Sequence, residues 1–389
     1  MDFELPEENR MLRDLVAKFV TNDLMPLENA ILAREAAGDK AALTAEELAP
    51  LHKKCKELGL WGLDVPEVLG GADIGAVAKM CVSEELAYTI TPFTFPPDSP
   101  NLHMMIATVN EDQRKRYLEP YARGETVSAI AISEPGAGAD PSEMKTRAVK
   151  RGTKWVINGQ KIWISRMRES AFTIVMAVTD PEKKARGGIT AFLVDQDNPG
   201  MRVARDIPII GGHRTAEVLF EECEVDEGQV LGKVGDGFGP MQLRLTIRRL
   251  EIGSWSVGIA RRALDMMIAH ANMRVTFGEK LADRQVIQWW IADAATKIHA
   301  TRLMVQQAAW KLEKGEDVRI EASMIKVYGT EMVAEVVDHA MQAHGAMGMA
   351  MEFPLQYLYK KIRTFRIFEG PSEVHRWVVA RRLLAGGKI

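Results

Sequence analysis

The sequence has few cysteines, no long apolar run and no excess of either charge. Cys55, Cys81 and Cys223 are scattered without a paired spacing, which indicates neither a disulfide framework nor a zinc site and fits a reducing compartment. No apolar run approaches the ~20 residues that a membrane span needs. The 50 basic and 53 acidic residues are spread along the chain, which argues against nucleic acid or an anionic membrane as the main partner. The acidic N-terminus lacks the features of a signal or transit peptide, so we expect a cytoplasmic protein.

The signatures of several enzyme classes are missing as well. The chain has no P-loop, no HExxH and no GxSxG motif, and its eight histidines never cluster at metal-ligand spacing, so we expect no metal. The segment SEPGAGADP (133–141) carries Gly136 and Gly138, but Pro141 stands where a dinucleotide fingerprint has a further glycine. The flanking βαβ pattern is absent too, which excludes a nicotinamide-binding Rossmann loop.

The patterns that are present divide the chain into three regions. A chain of 389 residues is too long for one compact core and suggests about two or three domains. Apolar residues at helical spacing predict helices in the first region, one of them capped by Thr44 with Glu47. Period-two alternation then predicts strands, with a hairpin turn at Asn158-Gly159 inside WVINGQKIWIS, and long helices follow. We therefore predict an α+β multidomain fold: an N-terminal α-helical domain (1–121), a central antiparallel β-barrel or sandwich (122–231) and a C-terminal four-helix bundle (232–389).

The stretch IFEGPSEVHRWVVARRLL (367–384) places a carboxylate just before the last predicted helix. Pro371 is favoured at the first position of a helix, so Glu369 stands on a short Glu-Gly joint upstream of the helix N-terminus. A carboxylate base beside backbone N–H donors can remove a proton next to a carbonyl while the donors stabilise the enolate oxygen. The alternative is a solvated carboxylate that only caps the helix.

Two segments of the β region are unusual for a purely structural protein. SEPGAGAD has a Gly-rich turn whose N–H groups suit an anionic or planar ligand, with an ordinary tight loop as the alternative. In KIWIS, Trp163 alternates with Ile162 and Ile164, so its indole lies on the opposite face. There the indole and Ser165 can cover a flat heterocycle, with a core tryptophan as the alternative.

Two segments of the last region have the same character. In MRVTFGEKLADRQ (273–285), Arg274 before a Phe-Gly break suits a phosphate by bidentate contact, although a solvated arginine at a helix end is commoner. In MQAHGAMG (341–348), a helix ends in small residues that let a ligand approach, or it simply terminates. In this order, and together with the FEGPSEV joint, the four segments resemble those of the acyl-CoA dehydrogenases. The resemblance covers essentially the whole chain, including LGLWGLDVPEVLGG and NEDQRKRYLEPYARGE.

The resemblance implies FAD between the β domain and the C-terminal bundle, with an acyl-CoA thioester between the flavin and a catalytic carboxylate. The residues implied to contact FAD are Ile130, Ile132, Ser133, Gly138, Ala139, Trp163, Ser165, Arg274, Phe277, Gln285, Gln342, Gly345, Ala346 and Glu373. Those from Arg274 to Ala346 are implied to act across a subunit interface, which means at least a dimer and, as is common in the family, a tetramer. The residues implied to contact the substrate are Ala139, Arg249 and Gly370.

Glu369 matches the catalytic base of the medium- and short-chain branches of that family. The isovaleryl and long-chain branch carries its glutamate on the first long bundle helix, where this chain has Arg248, and we expect Glu251 to point elsewhere on that helix. The implied reaction is removal of the thioester α-proton by Glu369 while the β-hydrogen leaves as hydride to the flavin, giving a trans-2-enoyl-CoA. The expected electron acceptor is an electron-transfer flavoprotein.

Two positions depart from the family pattern, and they leave rivals open. Pro371 replaces a threonine that usually helps to hold the flavin, and Ala139 replaces a serine that contacts phosphate or acyl-CoA. An acyl-CoA oxidase would share Glu369 but let oxygen react, whereas a nitroalkane oxidase or flavin monooxygenase would replace or lack this glutamate. A catalytically silent acyl-CoA or flavin-binding homologue is the alternative from a different class.

Overall fold

The computed structural model describes residues 4–211 and 213–387, and its first region is helical, as predicted. The helices are α1 (Glu7–Phe19), α2 (Glu28–Ala36), α3 (Ala45–Glu57), α4 (Ala76–Leu86), α5 (Leu102–Ile106), α6 (Glu111–Gln113) and α7 (Glu119–Arg123). A π-helical segment, Arg114–Leu118, joins α6 to α7. The predicted capping box begins α3, because the Glu47 N–H donates to Thr44 Oγ1 at 3.2 Å and the Thr44 N–H donates to the Glu47 carboxylate at 2.8 Å.

The central region is one eight-stranded sheet. Its strands are β1 (Ser128–Ala131), β2 (Arg147–Arg151), β3 (Lys154–Ser165), β4 (Phe172–Val178), β5 (Ile189–Asp195), β6 (Met201–Pro208), β7 (Arg214–Asp226) and β8 (Val230–Leu231). The order is β6-β7-β3-β2-β4-β5-β8 with antiparallel pairs predominating, and β1 lies parallel to β4.

Both faces of the sheet are buried. Alternate residues of β4 enter two different cores. Ile174 and Met176 enter a core shared with α5 and α7, whereas Val175 and Ala177 enter a second core that receives side chains from all eight strands. This is the arrangement expected when a sheet encloses its own core and also carries helices on its outer face. Trp163 of β3 belongs to neither core and is exposed.

The predicted hairpin at Asn158-Gly159 is wrong. The chain turns earlier, at Gly152 and Thr153 between β2 and β3, and β3 continues straight through Asn158 and Gly159. The pairing of β3 with β7 shifts register there, and the Asn158 side chain bonds across to Glu222. A Cβ on Gly159 would lie 2.4 Å from the Thr146 hydroxyl. The Asn-Gly pair therefore forms a β-bulge where two strands approach closely, and it does not form a turn.

The last region contains the predicted long helices, together with elements that the sequence analysis missed. The elements are α8 (Phe238–Met273), β9 (Val275–Thr276), β10 (Glu279–Lys280), α9 (Gln285–Glu313), α10 (Arg319–His344), α11 (Ala346–Met349), α12 (Pro354–Phe365) and α13 (Ser372–Leu384). The missed α12 has a readable signal, because Leu355, Leu358, Ile362 and Phe365 repeat at helical spacing and are buried. The apolar residues Trp377 and Leu384 of α13 are exposed.

The helices α8, α9, α10 and α12 share one large core, to which α2 of the first region also contributes. The N-terminal part of α8 instead reaches the core under the sheet through Met241 and Leu245. The start of α8 therefore lies where helices of the first region, the sheet and the bundle meet. Within residues 4–211 and 213–387, no helix has the length and apolar character of a membrane span.

Candidate active site

Glu369 lies on the joint between α12 and α13 in a backbone conformation that is rare for its residue type. Its φ is +57°, and that of the following Gly370 is +97°. Pro371 precedes the first helical position, Ser372, and does not occupy it as predicted. Two other expected site residues, Trp163 (φ +65°) and Phe277 (φ +51°), share the left-handed conformation. Strained backbone of this kind persists where the surroundings hold it in place, and it is concentrated at functional sites.

Side chains of α8, α10 and α13 hold both carbonyl groups of the joint. The Glu369 carbonyl accepts hydrogen bonds from Arg249 Nε at 3.0 Å and from His375 Nε2 at 3.1 Å. The Gly370 carbonyl accepts one from Lys326 Nζ at 3.1 Å. Within the described residues, the N–H groups of Glu369 and Gly370 donate to no acceptor. The joint is therefore fixed from one side, and its N–H donors remain available on the other.

The electrostatics of these donors follow from their burial. Burial, with the charges of Arg249 and Lys326, lowers the pKa of His375 to about 3. The ring is therefore neutral and carries its proton on Nε2, while Nδ1 accepts from the Ser323 hydroxyl at 3.2 Å. Burial also lowers the pKa of Lys326 to about 8, although the charge of Glu369 opposes that change. At pH 7 Lys326 is mostly charged, so it strengthens its bond to the joint.

The Glu369 carboxylate is paired with an arginine that the sequence analysis did not single out. Both of its oxygens lie close to Arg244 Nη1, at 2.7 Å and 2.8 Å, and both side chains are largely buried. Burial acts to raise the pKa of Glu369, but Arg244, Arg248 and Arg249 outweigh it, and the pKa falls below its usual value. The carboxylate is therefore ionised, and it is not the solvated cap that the sequence left as an alternative.

Contacts from the first region and the sheet hold Arg244 in place. Its Nε donates to Asn101 Oδ1 at 3.2 Å, and Asn101 Nδ2 donates to Ser128 Oγ at 2.9 Å. The Asn101 N–H donates to the Tyr121 hydroxyl at 3.1 Å. The three regions of the chain thus meet in one hydrogen-bond network that ends on Glu369.

Glu251 lies in the same charged cluster, and the expectation that it points elsewhere is wrong. Its carboxylate is 2.7 Å from Arg248 Nη1, one turn back on α8, and 2.9 Å from Lys79 Nζ on α4. Burial acts to raise the pKa of Glu251, but the charges of Lys79 and Arg248 lower it to about 2. Glu251 and Arg244 both line a cavity of about 10 Å³, the room that a single water needs.

The expected cofactor contacts of the sheet come together beside Trp163. Trp163 is 51% exposed while Ile162 and Ile164 are buried, as the alternation predicts, and Ser165, two residues on, is exposed as well. The Ile162 N–H donates to the Ser133 carbonyl at 2.9 Å, which brings the end of β1 alongside. Gly138 and Ala139 are exposed in the turn that follows.

A buried ion pair holds this turn against β3. Lys161 Nζ lies 2.9 Å from the Glu134 carboxylate and donates to the Ile132 carbonyl at 2.9 Å, and Lys161 is fully buried. The same Glu134 carboxylate accepts from the N–H groups of Lys145 and Thr146. Ile130 and Ile132, half-buried, lie next to this pair at the edge of the core under the sheet.

The remaining expected cofactor contacts lie at the far end of the bundle. Arg274 directly follows α8, and Phe277 is completely exposed at the tip of the β9–β10 hairpin. The His270 ring stacks on His344 at 4.2 Å, so the end of α8 lies beside the end of α10, where Gln342, Gly345 and Ala346 are exposed. From Arg249 to Arg274 the helix extends about 38 Å. Gln285 is exposed at this end as well, whereas Glu373 is exposed beside the joint.

The two departures from the family pattern have different surroundings. A Cβ on the neighbouring Gly138 would meet nothing within 4 Å, so Ala139 stands in an open turn. Pro371 leaves Ser372 as the first hydroxyl after the joint, and the buried Ser372 Oγ has no hydrogen-bond partner among the described residues.

The residues that the sequence analysis missed are Asn101, Arg244, Lys326 and His375. A signal existed for Arg244, which stands between Leu243 and Leu245 and one helical turn before Arg248. Lys326 is buried next to the buried Ile325 on α10, and His375 is buried on α13 together with Ser372. Such burial is unusual for charged or polar side chains. None of these patterns indicates which carboxylate or carbonyl the side chain meets.

Comparison with known proteins gives one consistent result. Residues 6–125, 129–223 and 235–384 match the N-terminal, middle and C-terminal domains of acyl-CoA dehydrogenase, respectively. The chain is 42% identical to (R)-benzylsuccinyl-CoA dehydrogenase of Thauera aromatica, covering 100% of this chain and 98% of that protein. It is 32% identical to the mitochondrial short-chain specific acyl-CoA dehydrogenase of Rattus norvegicus, covering 98% and 91%.

Solved structures agree with this result. The glutaryl-coenzyme A dehydrogenase in complex with glutaryl-CoA superposes with a TM-score of 0.87 at 28% identity, covering 99% of this chain and 97% of that one. The similarity extends over all three regions, so it includes the joint, the sheet face and the far end of the bundle.

Proposed function

This chain belongs to the acyl-CoA dehydrogenase family, and from that premise we propose that it oxidises an acyl-CoA thioester to a trans-2-enoyl-CoA, with Glu369 as the base. The observation that carries the proposal is the joint itself. One strained, half-buried turn offers an ionised carboxylate and two backbone N–H groups without acceptors among the described residues. A base next to such donors is what α-proton removal from a thioester needs.

The protein's own residues fit the flavin on which the family depends. The exposed Trp163 indole offers a flat surface, with the exposed Ser165 two residues on. The turn that contains Gly138 is open, and the buried Ser372 hydroxyl lacks a partner among the described residues. These are groups that can cover a ring, approach a phosphate and donate a hydrogen bond. When FAD is bound, it supplies the acceptor for the hydride that leaves the β-carbon.

The chemistry assigned to the chain is proton removal and stabilisation of the carbonyl oxygen. Glu369 takes the α-proton, and the electron pair of that C–H bond forms the new double bond while the β-hydrogen departs with its electrons. The Glu369 N–H holds the thioester oxygen as negative charge develops there. Arg249 and His375 keep the joint in position through the Glu369 carbonyl, so they are positioning residues.

The far end of the bundle supports an oligomer. The expected FAD contacts Arg274 and Phe277 lie too far along α8 to reach the flavin of their own chain's joint, so they suit the cofactor of a second copy. The fully exposed Phe277, with Met273 and Val275 also exposed, is consistent with a surface that such a copy covers. A homotetramer remains the predicted assembly, and an electron-transfer flavoprotein remains the predicted acceptor.

The experiment is anaerobic bleaching of the bound flavin's visible absorbance by a panel of acyl-CoAs. The panel holds straight-chain, branched and aromatic members, with glutaryl-CoA and (R)-benzylsuccinyl-CoA included because these acyl groups appear in the names of similar proteins. Monomethyl esters of the two dicarboxylic members complete it. Rapid bleaching by any member that disappears in Glu369→Gln, with flavin still bound, supports the proposal.

The alternative functions predict different results in the same bleaching experiment. An oxidase would reoxidise with oxygen in every turnover, so consumption of oxygen at the rate of acyl-CoA oxidation would replace the dehydrogenase assignment. A silent homologue would either purify without flavin or keep its flavin oxidised with every acyl-CoA of the panel.

A further inference from the structure

Glu369, the proposed base, is held by Arg244 in a way that opposes its function. Both carboxylate oxygens lie within 2.8 Å of one guanidinium nitrogen in a largely buried pair. The lowered pKa of Glu369 has this pair among its causes. A carboxylate stabilised in its charged form is a poor proton acceptor, because the bond to arginine must be given up as the proton arrives. Efficient proton removal therefore requires that another group pair with Arg244 in place of Glu369.

The charge around the joint leaves room for one more anion. The cationic side chains of the cluster are Lys79, Arg244, Arg248, Arg249 and Lys326. The carboxylates that pair with them are Asp64, Glu251 and Glu369. Asp98, which also acts on Arg248, pairs with Arg166. Among the residues that the structure describes, positive groups thus exceed negative ones in this cluster, and Arg249 and Lys326 donate only to backbone carbonyls.

The geometry favours movement of Glu369 over movement of Arg244. Arg244 is tied through Nε to Asn101, which is itself fixed by Ser128 and Tyr121. The cavity beside Arg244 holds only about 10 Å³, so an incoming group must use the place that the Glu369 carboxylate vacates. A carboxylate fits that place, since it has the same shape and charge as the group that it replaces.

We propose that the acyl group of the substrate carries a free carboxylate, which binds Arg244 in place of Glu369 and so releases the base. The proposal rests on the proposed function and narrows it to dicarboxylic acyl-CoA monothioesters. Because Arg244 and the base are in direct contact, the free carboxylate must lie within a few bonds of the α-carbon. Substrates without it would leave Glu369 on Arg244 and react slowly.

The first test compares each dicarboxylic acyl-CoA of the panel with its monomethyl ester on the wild-type holoenzyme. The ester keeps the length of the acyl chain but removes the charge. We expect kcat/KM for flavin bleaching to be on the order of 100-fold higher for an acid than for its ester, because the site loses a charged hydrogen-bond partner. Equal rates for acid and ester would overturn the inference.

The second test locates that preference in Arg244. In Arg244→Gln we expect the acid-over-ester ratio to fall to within about threefold, because the variant lacks the cation that distinguishes an acid from its ester. Arg262→Gln is the matched control, because Arg262 lies on the same helix in a similarly buried pair with Glu28, at 3.2 Å. It should keep the wild-type ratio. A ratio that persists in Arg244→Gln would assign the carboxylate to another cation.

A binding measurement keeps the inference testable if the variant does not fold. The thioether 3-carboxypropyl-CoA cannot be dehydrogenated, and butyl-CoA is its neutral partner. Calorimetry on the wild-type holoenzyme should show the charged thioether binding at least about 10-fold more tightly. Equal affinities would overturn the inference.

The outcomes separate the two proposals. Bleaching by neutral acyl-CoAs but not by the dicarboxylic ones would overturn the inference and leave the proposed function intact. No bleaching by any member, with flavin bound, would overturn the proposed function and the inference with it.

Discussion

Glu369 and Glu251 are buried carboxylates of one charged cluster, yet their surroundings differ in a way that separates a base from a structural anion. Glu251 lies on a regular helix and is held by two cations from different elements, Arg248 on α8 and Lys79 on α4. Glu369 lies on a strained joint, and within residues 4–211 and 213–387 its carboxylate forms an ion pair with Arg244 alone. Glu251 stays bound if either cation is lost, whereas Glu369 is released once Arg244 pairs with another anion.

The difference teaches that burial and a lowered pKa do not by themselves mark a catalytic carboxylate. The pKa of both groups is lowered, and Glu251 has two cationic partners, Lys79 and Arg248. What distinguishes Glu369 is the backbone around it, because N–H groups without acceptors among the described residues lie on the same joint. Four predictions test this comparison between Glu369 and Glu251.

The largest expected effect is that of Glu369→Gln. Loss of the base should lower the rate of flavin bleaching by about 10³-fold or more, while the flavin stays bound and the fold is kept. Rates are measured anaerobically with the best substrate of the panel. Glu331→Gln serves as the control, since that carboxylate pairs with Arg376 at the surface. A Glu369→Gln enzyme with near-normal rates would transfer the role of base to another group.

Glu251→Gln should give the opposite result, a loss of stability with little loss of chemistry. The change leaves Lys79 and Arg248 buried without their shared anion, which costs about 3 kcal/mol. Denaturant unfolding, followed by circular dichroism, should show the lower midpoint, and the folded enzyme should bleach at close to the wild-type rate. If instead activity disappears while stability is unchanged, Glu251 and not Glu369 fits the base.

The dependence of stability on pH should identify the same carboxylate. The pKa of Glu251 is about 2 in the fold and about 4.3 in an unfolded chain. A lowered pKa adds stability above the unfolded value that is lost as pH falls through the folded value. The difference in unfolding free energy between wild type and Glu251→Gln should therefore shrink between about pH 4 and pH 2. A difference that stays constant over this window would contradict the pairing.

The smallest change tests the strained joint. In Gly370→Ala a Cβ would lie 2.8 Å from His375 Nε2, at a φ of +97°, so we expect a stability loss of about 1–2 kcal/mol and slower bleaching. Gly315→Ala is the control for backbone strain, because its φ is +75° and a Cβ there meets nothing within 4 Å. Equal behaviour of the two variants would show that His375 does not hold the joint.

Local patterns predicted the elements that local forces determine. Thr44 and Glu47 form their capping box wherever the helix lies, and the alternation around Trp163 turns its ring away from Ile162 and Ile164. The Asn158-Gly159 prediction failed because the same dipeptide suits a bulge as well as a turn. The close approach of Thr146, from another segment, decided between the two.

The sequence by itself determined that the chain alternates helical, sheet and helical regions, and that a carboxylate stands on a Glu-Gly joint before the last helix. Helical spacing, strand alternation and capping act over a few residues, so they can be read along the chain. Only the tertiary structure decided which residues surround that carboxylate. Arg244 is 125 residues from Glu369, and Asn101 is 143 residues from Arg244. Such pairings depend on how whole helices pack, because a charge interacts with whatever the fold brings within a few ångströms of it.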